Sequence, residues 1–169
     1  MTLYISLYLV FKLSEGEELQ SGQSLLSENG LYTLAVQTDG NIVLEKGEDV
    51  LWASGTHGKG TAPYMMTMQK DNHLVLRDAD GEVIWAPDVY IGKDGNNWAE
   101  GGYGVLQTDG NFVVYDGDDK AMWATNTQGG QQGSTDGGIW KGNSRHFIKN
   151  PVLLKCYEIQ ILKGLLLAS

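Results

Sequence analysis

Short runs of alternating apolar and polar residues, separated by turns rich in Gly, Asp and Asn, fill the chain between residues 19 and 127. No segment of this range repeats its apolar residues at a helical spacing. Runs with aromatic and β-branched residues, such as 31–36, are typical of short, half-buried strands. The pattern therefore predicts an all-β fold for this part of the chain.

One nine-residue pattern recurs three times. Residues 107–115 read Gln-Thr-Asp-Gly-Asn-Phe-Val-Val-Tyr, and residues 37–45 and 69–77 repeat the pattern in part. A Trp followed by Ala lies 15 or 16 positions after the first Gln of each copy. A unit of three or four strands cannot bury its apolar face alone, so three units are expected to pack about an axis. Because Trp brings a large apolar area, the expected core residues are Trp52, Trp85 and Trp123.

The alternate positions of the pattern carry chemistry suited to a sugar. On a continuous strand Gln107, Asp109, Asn111, Val113 and Tyr115 would share one face, since alternate side chains point the same way. That face would present a carboxylate, two amides, a phenol and one exposed valine. Sugar hydroxyls both donate and accept hydrogen bonds, so this mixture would match a polyol with an apolar patch. The alternative is an ordinary half-exposed strand with polar residues outside.

With these residues in view, residues 13–128 resemble the bulb-type (monocot mannose-binding, snowdrop-agglutinin-like) lectin family. The motif of that family is Gln-x-Asp-x-Asn-x-Val-x-Tyr, which residues 107–115 match fully, and the Trp-Ala strands and the opening at 21–32 are also similar. The resemblance implies a β-prism II fold, with three antiparallel four-stranded sheets around a pseudo-threefold axis. It also implies binding of mannose or high-mannose glycans without a metal ion, a cofactor or enzymatic activity.

The resemblance gives each residue of the third copy a role. It implies that the Gln107 amide contacts the O3 hydroxyl of mannose, and that Asp109 and Asn111 contact the axial O2 hydroxyl. It further implies that Tyr115 contacts O4 and that Val113 packs on the sugar ring. Two groups directed at the axial O2 would distinguish mannose from glucose, because a mismatched sugar leaves polar groups unpaired.

The other two copies match in part. The first has Glu45 in place of the Tyr and is expected to bind more weakly. The second has His73 and Arg77 in place of the Asn and the Tyr, and it is expected to be weak, altered or silent. The retained candidate residues are Gln37, Asp39, Asn41 and Val43 in the first copy, and Gln69, Asp71 and Val75 in the second.

Charge and cysteine content narrow the possible classes of protein. Residues 1–128 hold 7 basic and 19 acidic residues, a net charge of −12, whereas residues 129–169 carry +3. An acidic domain repels phosphate backbones, so nucleic acid is not an expected partner. The one cysteine, Cys156, excludes an internal disulfide, including the one usual in the family. The histidines have no metal-ligand spacing and are expected at surface or loop positions; they are His57, His73 and His146.

The sequence divides into a leader (1–12), a lectin domain (13–128), and a Gly/Gln-rich linker with a C-terminal tail (129–169). The leader lacks an early positive charge and a cleavage site, so a signal peptide is disfavoured and the compartment, extracellular or cytoplasmic, stays open. Charged residues interrupt the apolar end of the tail, so no membrane span is expected. Packing on the domain, dimerisation, disorder and a gene-model artefact are all open for the tail.

Two other functions compete with sugar binding. A glycosidase needs paired carboxylates across the bond, whereas Asp39, Asp71 and Asp109 are expected on separate sheets. A β-prism scaffold for protein contacts, with sugar binding lost or altered, is the alternative hypothesis. A single exposed sugar site is expected to bind with a Kd on the order of millimolar, so a homodimer is expected to add avidity.

Overall fold

The computed structural model describes residues 11–87 and 99–133, which form three antiparallel four-stranded sheets. The first sheet has the strand order β3-β4-β5-β6, the second β2-β7-β8-β9 and the third β1-β10-β11-β12. This confirms the predicted all-β fold and its three sheets. The strands are β1 (Lys12–Ser14), β2 (Glu18–Gln20), β3 (Ser24–Leu26), β4 (Thr33–Val36), β5 (Ile42–Lys46), β6 (Asp49–Ala53), β7 (Met65–Met68), β8 (Leu74–Arg77), β9 (Val83–Trp85), β10 (Tyr103–Leu106), β11 (Phe112–Tyr115) and β12 (Ala121–Ala124), and a 3-10 turn follows at Gln128–Gly130.

The three strands nearest the N-terminus each join a different sheet. Leu13 of β1 lies opposite Gly104, Leu19 of β2 opposite Met66, and Leu25 of β3 opposite Leu34. The outer strands of the second and third sheets therefore come from residues 12–20, before the first repeat. The sequence pattern assigned no strands there, because three-residue strands show too few alternations to be recognised. The three leucines, six positions apart, are all buried at 6% exposure or less.

The core lies where the inner faces of the sheets meet. The rings of Trp52, Trp85 and Trp123 have centroids 5.6–5.7 Å apart and contact one another edge to face, at interplanar angles of 67–75°. This geometry is the favourable one for aromatic pairs. The predicted Trp core is therefore confirmed. Met66 and Met68 are fully buried and belong to the same core.

A register shift occurs at the same place in all three sheets. It lies between Leu44 and Glu45 in the first sheet, and at the corresponding steps before Arg77 and Tyr115 in the other two. A bulge of this kind bends the strand and redirects a side chain. The last residue of each nine-residue copy therefore stands at a bulge, on a strand whose preceding residues are buried.

Several sequence predictions concern residues outside the described ranges, namely the leader up to residue 10 and the tail from residue 134, with His146 and Cys156. The first residues of the predicted linker are described, and they attach to the domain. The Gly133 amide donates to the Leu51 carbonyl at 2.8 Å. Within the described part of the chain, no helix has the length and apolar character needed to cross a membrane.

Candidate functional site

The nine-residue motif folds as a hairpin turn followed by a strand. Gln107 follows β10, residues 108–110 form the turn, and only the end of the motif lies on β11. The prediction of one continuous strand face is therefore wrong for Gln107 and Asp109. The reason is the Asp-Gly pair: Gly110 has a φ of 87°, in the left-handed region that glycine adopts without strain. The chain reverses there instead of continuing.

The turn is built in the same way in each copy. In the third copy, the backbone amide of Gln107 donates to the backbone carbonyl of Asn111 at 2.9 Å, and the backbone amide of Asn111 donates to Asp109 Oδ1 at 2.9 Å. In the first copy, the backbone amide of Asn41 donates to Asp39 Oδ1 at 2.9 Å. A motif Asp thus uses one carboxylate oxygen to stabilise its turn. The second carboxylate oxygen of Asp109, Oδ2, has no partner among the described residues and is available to a ligand.

In the Asn side chain of the motif, the carbonyl oxygen forms hydrogen bonds within the protein and the NH₂ group does not. Asn111 Oδ1 accepts from Thr125 Oγ1 at 3.1 Å and from the Thr127 amide at 3.2 Å. Asn41 Oδ1 accepts from Ser54 Oγ and the Thr56 amide in the same way, at 3.0 and 3.2 Å. The carbonyl oxygen therefore fixes the orientation of the amide. The NH₂ group of Asn111 forms no hydrogen bond with the described residues and is a donor that a sugar hydroxyl can use.

The two ends of the third copy meet on its outer face. Gln107 Nε2 donates to the Tyr115 hydroxyl at 2.9 Å, although the residues are eight positions apart. The hairpin thus brings together the Gln and the Tyr that a continuous strand would have separated. Val113 lies on the same strand but is only 4% exposed, so the predicted exposed valine is wrong. Neighbouring side chains cover it, and a ligand would reach only a small part of its surface.

The Tyr115 ring is supported from the neighbouring strand. Tyr103, directly opposite on β10, stacks on it with a centroid distance of 5.3 Å and an angle of 27°. Lys12 Nζ lies 3.7 Å from the centroid of the Tyr103 ring, an attractive cation–π contact. The Tyr103 hydroxyl donates to Asp119 Oδ1 at 2.7 Å. That hydrogen bond, followed by burial and nearby negative charge, raises the pKa of Tyr103 to about 12.

The first copy has the same backbone with different outer groups. Glu45 stands where the third copy has Tyr115, and burial raises the pKa of its carboxyl group. Its opposite residue on β4 is Thr33, so no aromatic stack forms there. Gln37 Oε1 is buried without a hydrogen-bond partner among the described residues. His57 Nδ1 lies 2.7 Å from Asp39 Oδ2, the carboxylate oxygen that the turn does not use.

The second copy departs furthest from the motif. His73 lies in the place of the Asn, with its Nδ1 3.7 Å from Asp71 Oδ2. Arg77, in the place of the Tyr, donates from a terminal nitrogen to the Gly81 carbonyl at 2.9 Å, within its own hairpin. The side chain that would correspond to the Tyr hydroxyl is thus directed to a turn. This copy lacks the aromatic hydroxyl and the motif amide of the third.

The arrangement can exchange hydrogen bonds with a polyol. Asp39, Asp71 and Asp109 lie in turns of three different sheets, as expected. Across residues 11–87 and 99–133, no group of three or more His, Cys, Asp or Glu side chains is placed to hold a metal ion.

Known structures share this architecture. Monomeric monocot mannose-binding lectins from Gastrodia elata are 34% identical to the chain, with a TM-score of 0.60 over 69% of this chain and 97% of theirs. The mannose-specific agglutinin of snowdrop (Galanthus nivalis) bulbs, solved with methyl-α-D-mannoside, is 32% identical, with a TM-score of 0.54 over 69% of this chain and 96% of its own.

A curated relative outside plants is the B-type lectin plumieribetin of Scorpaena plumieri. It is 38% identical over 73 residues, which are 43% of this chain and 62% of that protein. The curated relatives are matched over 41 to 62% of their own length. No family model matches the sequence.

A prism of three four-stranded sheets with polar hairpins on its outer faces, shared with lectins of known structure, defines a carbohydrate-binding lectin domain. Within that class, the chain belongs to the bulb-type, monocot mannose-binding lectin family.

The sequence pattern missed three contributors to the site, namely His57, Tyr103 and Lys12. His57 was expected at a surface or loop position without a role, but it pairs with Asp39. It follows Trp52 by five residues, and only knowledge of the loop would have placed it beside the turn. Tyr103 lies four positions before Gln107, and an even offset along one extended segment is a usable signal for residues on one face.

Proposed function

We propose that this protein binds mannose-containing glycans, and that residues 107–115 form its principal site. The main support is a pair of polar groups at the third hairpin that form no hydrogen bond with the described residues. Asp109 is an exposed residue whose Oδ2 has no partner among the described residues, and Asn111 keeps its NH₂ group available beside it. Together they offer an acceptor and a donor to one hydroxyl group, which is how an axial O2 would be recognised.

The remaining motif residues of the third copy support the same ligand. Gln107 and Tyr115 already bond to each other, so their polar groups are held on one side of the hairpin. Holding them in advance lowers the entropy lost on binding. Val113 would contribute only its small exposed part to the sugar ring. Mannose is chosen as the sugar because solved relatives are described as mannose-binding or mannose-specific.

The other two copies would contribute unequally. Gln37, Asp39, Asn41 and Val43 retain four motif residues around the same turn, and we propose a weaker site there because Glu45 replaces the aromatic hydroxyl. The second copy has lost two polar positions, and we propose that it binds mannose weakly or not at all. Its retained residues are Gln69, Asp71 and Val75.

Calorimetry with methyl α-D-mannoside and a high-mannose glycan tests the proposal. Asp109→Asn keeps an Oδ1 acceptor for the turn but replaces the ligand oxygen with an NH₂ group. We expect this variant to lose about tenfold or more in affinity at the third site, since a mismatched polar group is left unpaired. Asp80→Asn, which removes the same charge from an exposed turn of the second sheet, is the matched control and should bind like the wild type.

A β-prism scaffold without sugar activity is the rival outcome. In that case wild-type protein would pass through a mannose column unretained, and Asp109→Asn would change nothing in calorimetry. Hydrolysis of a mannoside by the purified protein would contradict the non-enzymatic part of the proposal. A homodimer stays a prediction, which light scattering would measure; the Gastrodia elata lectins are monomeric.

A further inference from the structure

The loops that follow β6 and β12 are equivalent at the level of individual hydrogen bonds. After each of these two strands, a Thr donates its backbone amide to Oδ1 of the motif Asn at 3.2 Å and its hydroxyl to the carbonyl of the turn glycine at 2.6 Å. Two residues later, a glycine amide donates to the carbonyl of the motif Asp, at 2.8 Å in the first sheet and 2.7 Å in the third. The residue between them occupies one structural position, and it is His57 in the first sheet and Gln128 in the third.

This shared position has opposite surroundings in the two sheets. His57 Nδ1 lies 2.7 Å from Asp39 Oδ2, while the backbone amide of Asn41 occupies Oδ1. Both oxygens of Asp39 are thus engaged within the chain, and its side chain is 31% exposed. Gln128 is exposed, and its side chain forms no hydrogen bond with the described residues. Asp109, beside it, is an exposed residue with Oδ2 available.

A sugar hydroxyl needs the same oxygen that the imidazole occupies. An imidazole that carries hydrogen on Nδ1, neutral or protonated, donates to the carboxylate. A hydroxyl that donates to Asp39 Oδ2 must replace this bond or share the oxygen with it. The His57 side chain is itself 67% exposed, so it can move into solvent when displaced. Displacement therefore costs the hydrogen bond between the imidazole and the carboxylate, without creating a buried unpaired group.

We propose that His57 is an affinity-determining residue of the first site, where it competes with the mannose hydroxyl for Asp39 Oδ2. This rests on the proposed mannose-binding function of the motif. It assigns the position shared by His57 and Gln128 as the one that sets how open each site is. The first hairpin is then held in a self-bonded form that the sugar must break, whereas the third is open.

Exchanging His57 and Gln128 tests this proposal. Each exchange is made in a protein in which the other motif site has been disabled by an Asp→Asn substitution. In an Asp109→Asn background, His57→Gln should raise the affinity of the first site for methyl α-D-mannoside by about two- to fivefold, the range of an exposed ion pair. His57→Ala should do the same, since it also removes the imidazole. In an Asp39→Asn background, Gln128→His should lower third-site affinity by a similar factor.

Nuclear magnetic resonance of the His57 ring supplies a readout that a purely structural role would not move. Saturating mannoside should shift the Nδ1 signal in the Asp109→Asn protein, because the bond to Asp39 is broken. An unchanged or lower affinity in both His57 variants would overturn the inference while leaving third-site binding intact. If the first site does not bind even without the imidazole, the inference also fails, and the proposed function survives. Absence of binding in the wild type would overturn both.

Discussion

The three sheets are nearly alike in the core of the prism but differ from one another on its outer faces. Inside, the three sheets are nearly alike: each supplies one Trp, and the three ring contacts agree to within 0.1 Å in distance. Outside, the ninth motif position is Glu45 in one sheet, Arg77 in the next and Tyr115 in the third. Close packing ties each core side chain to its neighbours, so a change is felt by all. The motif side chains on the outer faces of the three sheets are directed to solvent, and each set can change independently of the other two.

Truncation of the central Trp should have the largest effect. Trp123→Ala is expected to lower the free energy of unfolding by about 3–5 kcal/mol, because it removes a fully buried ring and leaves a cavity. Trp85→Ala should cost less, since Trp85 is only partly buried. Urea unfolding followed by circular dichroism measures both. An equally small loss for Trp123→Ala and for an exposed outer-face substitution would contradict the contrast between the two regions.

Loss of the Tyr hydroxyl should affect binding but barely affect folding. Tyr115→Phe removes the acceptor of the Gln107 amide and the proposed contact to sugar O4. We expect about a fivefold weaker affinity for methyl α-D-mannoside, corresponding to about 1 kcal/mol for one hydrogen bond. The unfolding transition should stay close to that of the wild type. Calorimetry and thermal unfolding on the same preparation would show whether the effects separate in this way.

Removal of the supporting ring should have a smaller effect that depends on Tyr115. Tyr103→Thr installs the residue that the first sheet carries at this position, and it removes a stack worth about 0.5–1.5 kcal/mol. Third-site affinity should fall about two- to threefold, as part of that energy positions Tyr115. In a double-mutant cycle, the loss should shrink in the Tyr115→Phe background. Tyr103→Phe, which keeps the stack but not the bond to Asp119, is the matched control.

The smallest effect is expected at Glu45, and it depends on pH. Burial raises the pKa of this carboxyl group above its ordinary value of 4.5, so folding is favoured by its protonated form. That contribution is present below pH 4.5 and is lost as the pH rises through the pKa of the folded state. Glu45→Gln should therefore be slightly more stable than the wild type at neutral pH, with the difference vanishing in acid. Thermal unfolding across this range measures it, and a constant difference would contradict the assignment.

Much of the architecture followed from the sequence because its strongest signals are local. The three copies, the Asp-Gly turns of the first and third, and the Trp that follows each copy together predicted the sheets and the core. The outer strands β1 and β2 did not follow, since each is three residues long and its partner lies far along the chain. Leu13 and Leu19 gave the available signal, a six-residue spacing that continues to Leu25.

The site was predicted in composition more than in geometry. The structure places the motif residues of the third copy at one hairpin, and the turn at Gly110 places Gln107 opposite the strand rather than on it. Their role in binding a sugar stays a prediction. The double use of Asn111 was also out of reach, because its partners Thr125 and Thr127 lie beyond the next strand. His57 shows the same limit, since its pairing with Asp39 depends on a loop path that periodicity does not describe.

The placement of β1, β2 and β3 in three different sheets has a consequence for the order of assembly. Strands β1 and β2 are synthesised before the other strands of their sheets, and Lys12 can pair with Val105 only after that residue has been made. The first sheet can close early, from contiguous residues, whereas the third closes only when most of the domain has been synthesised. Contacts so distant in sequence slow folding. They also make the second and third sheets depend on residues 12–20 for their outer strands, so neither sheet is complete without a segment that precedes the first copy.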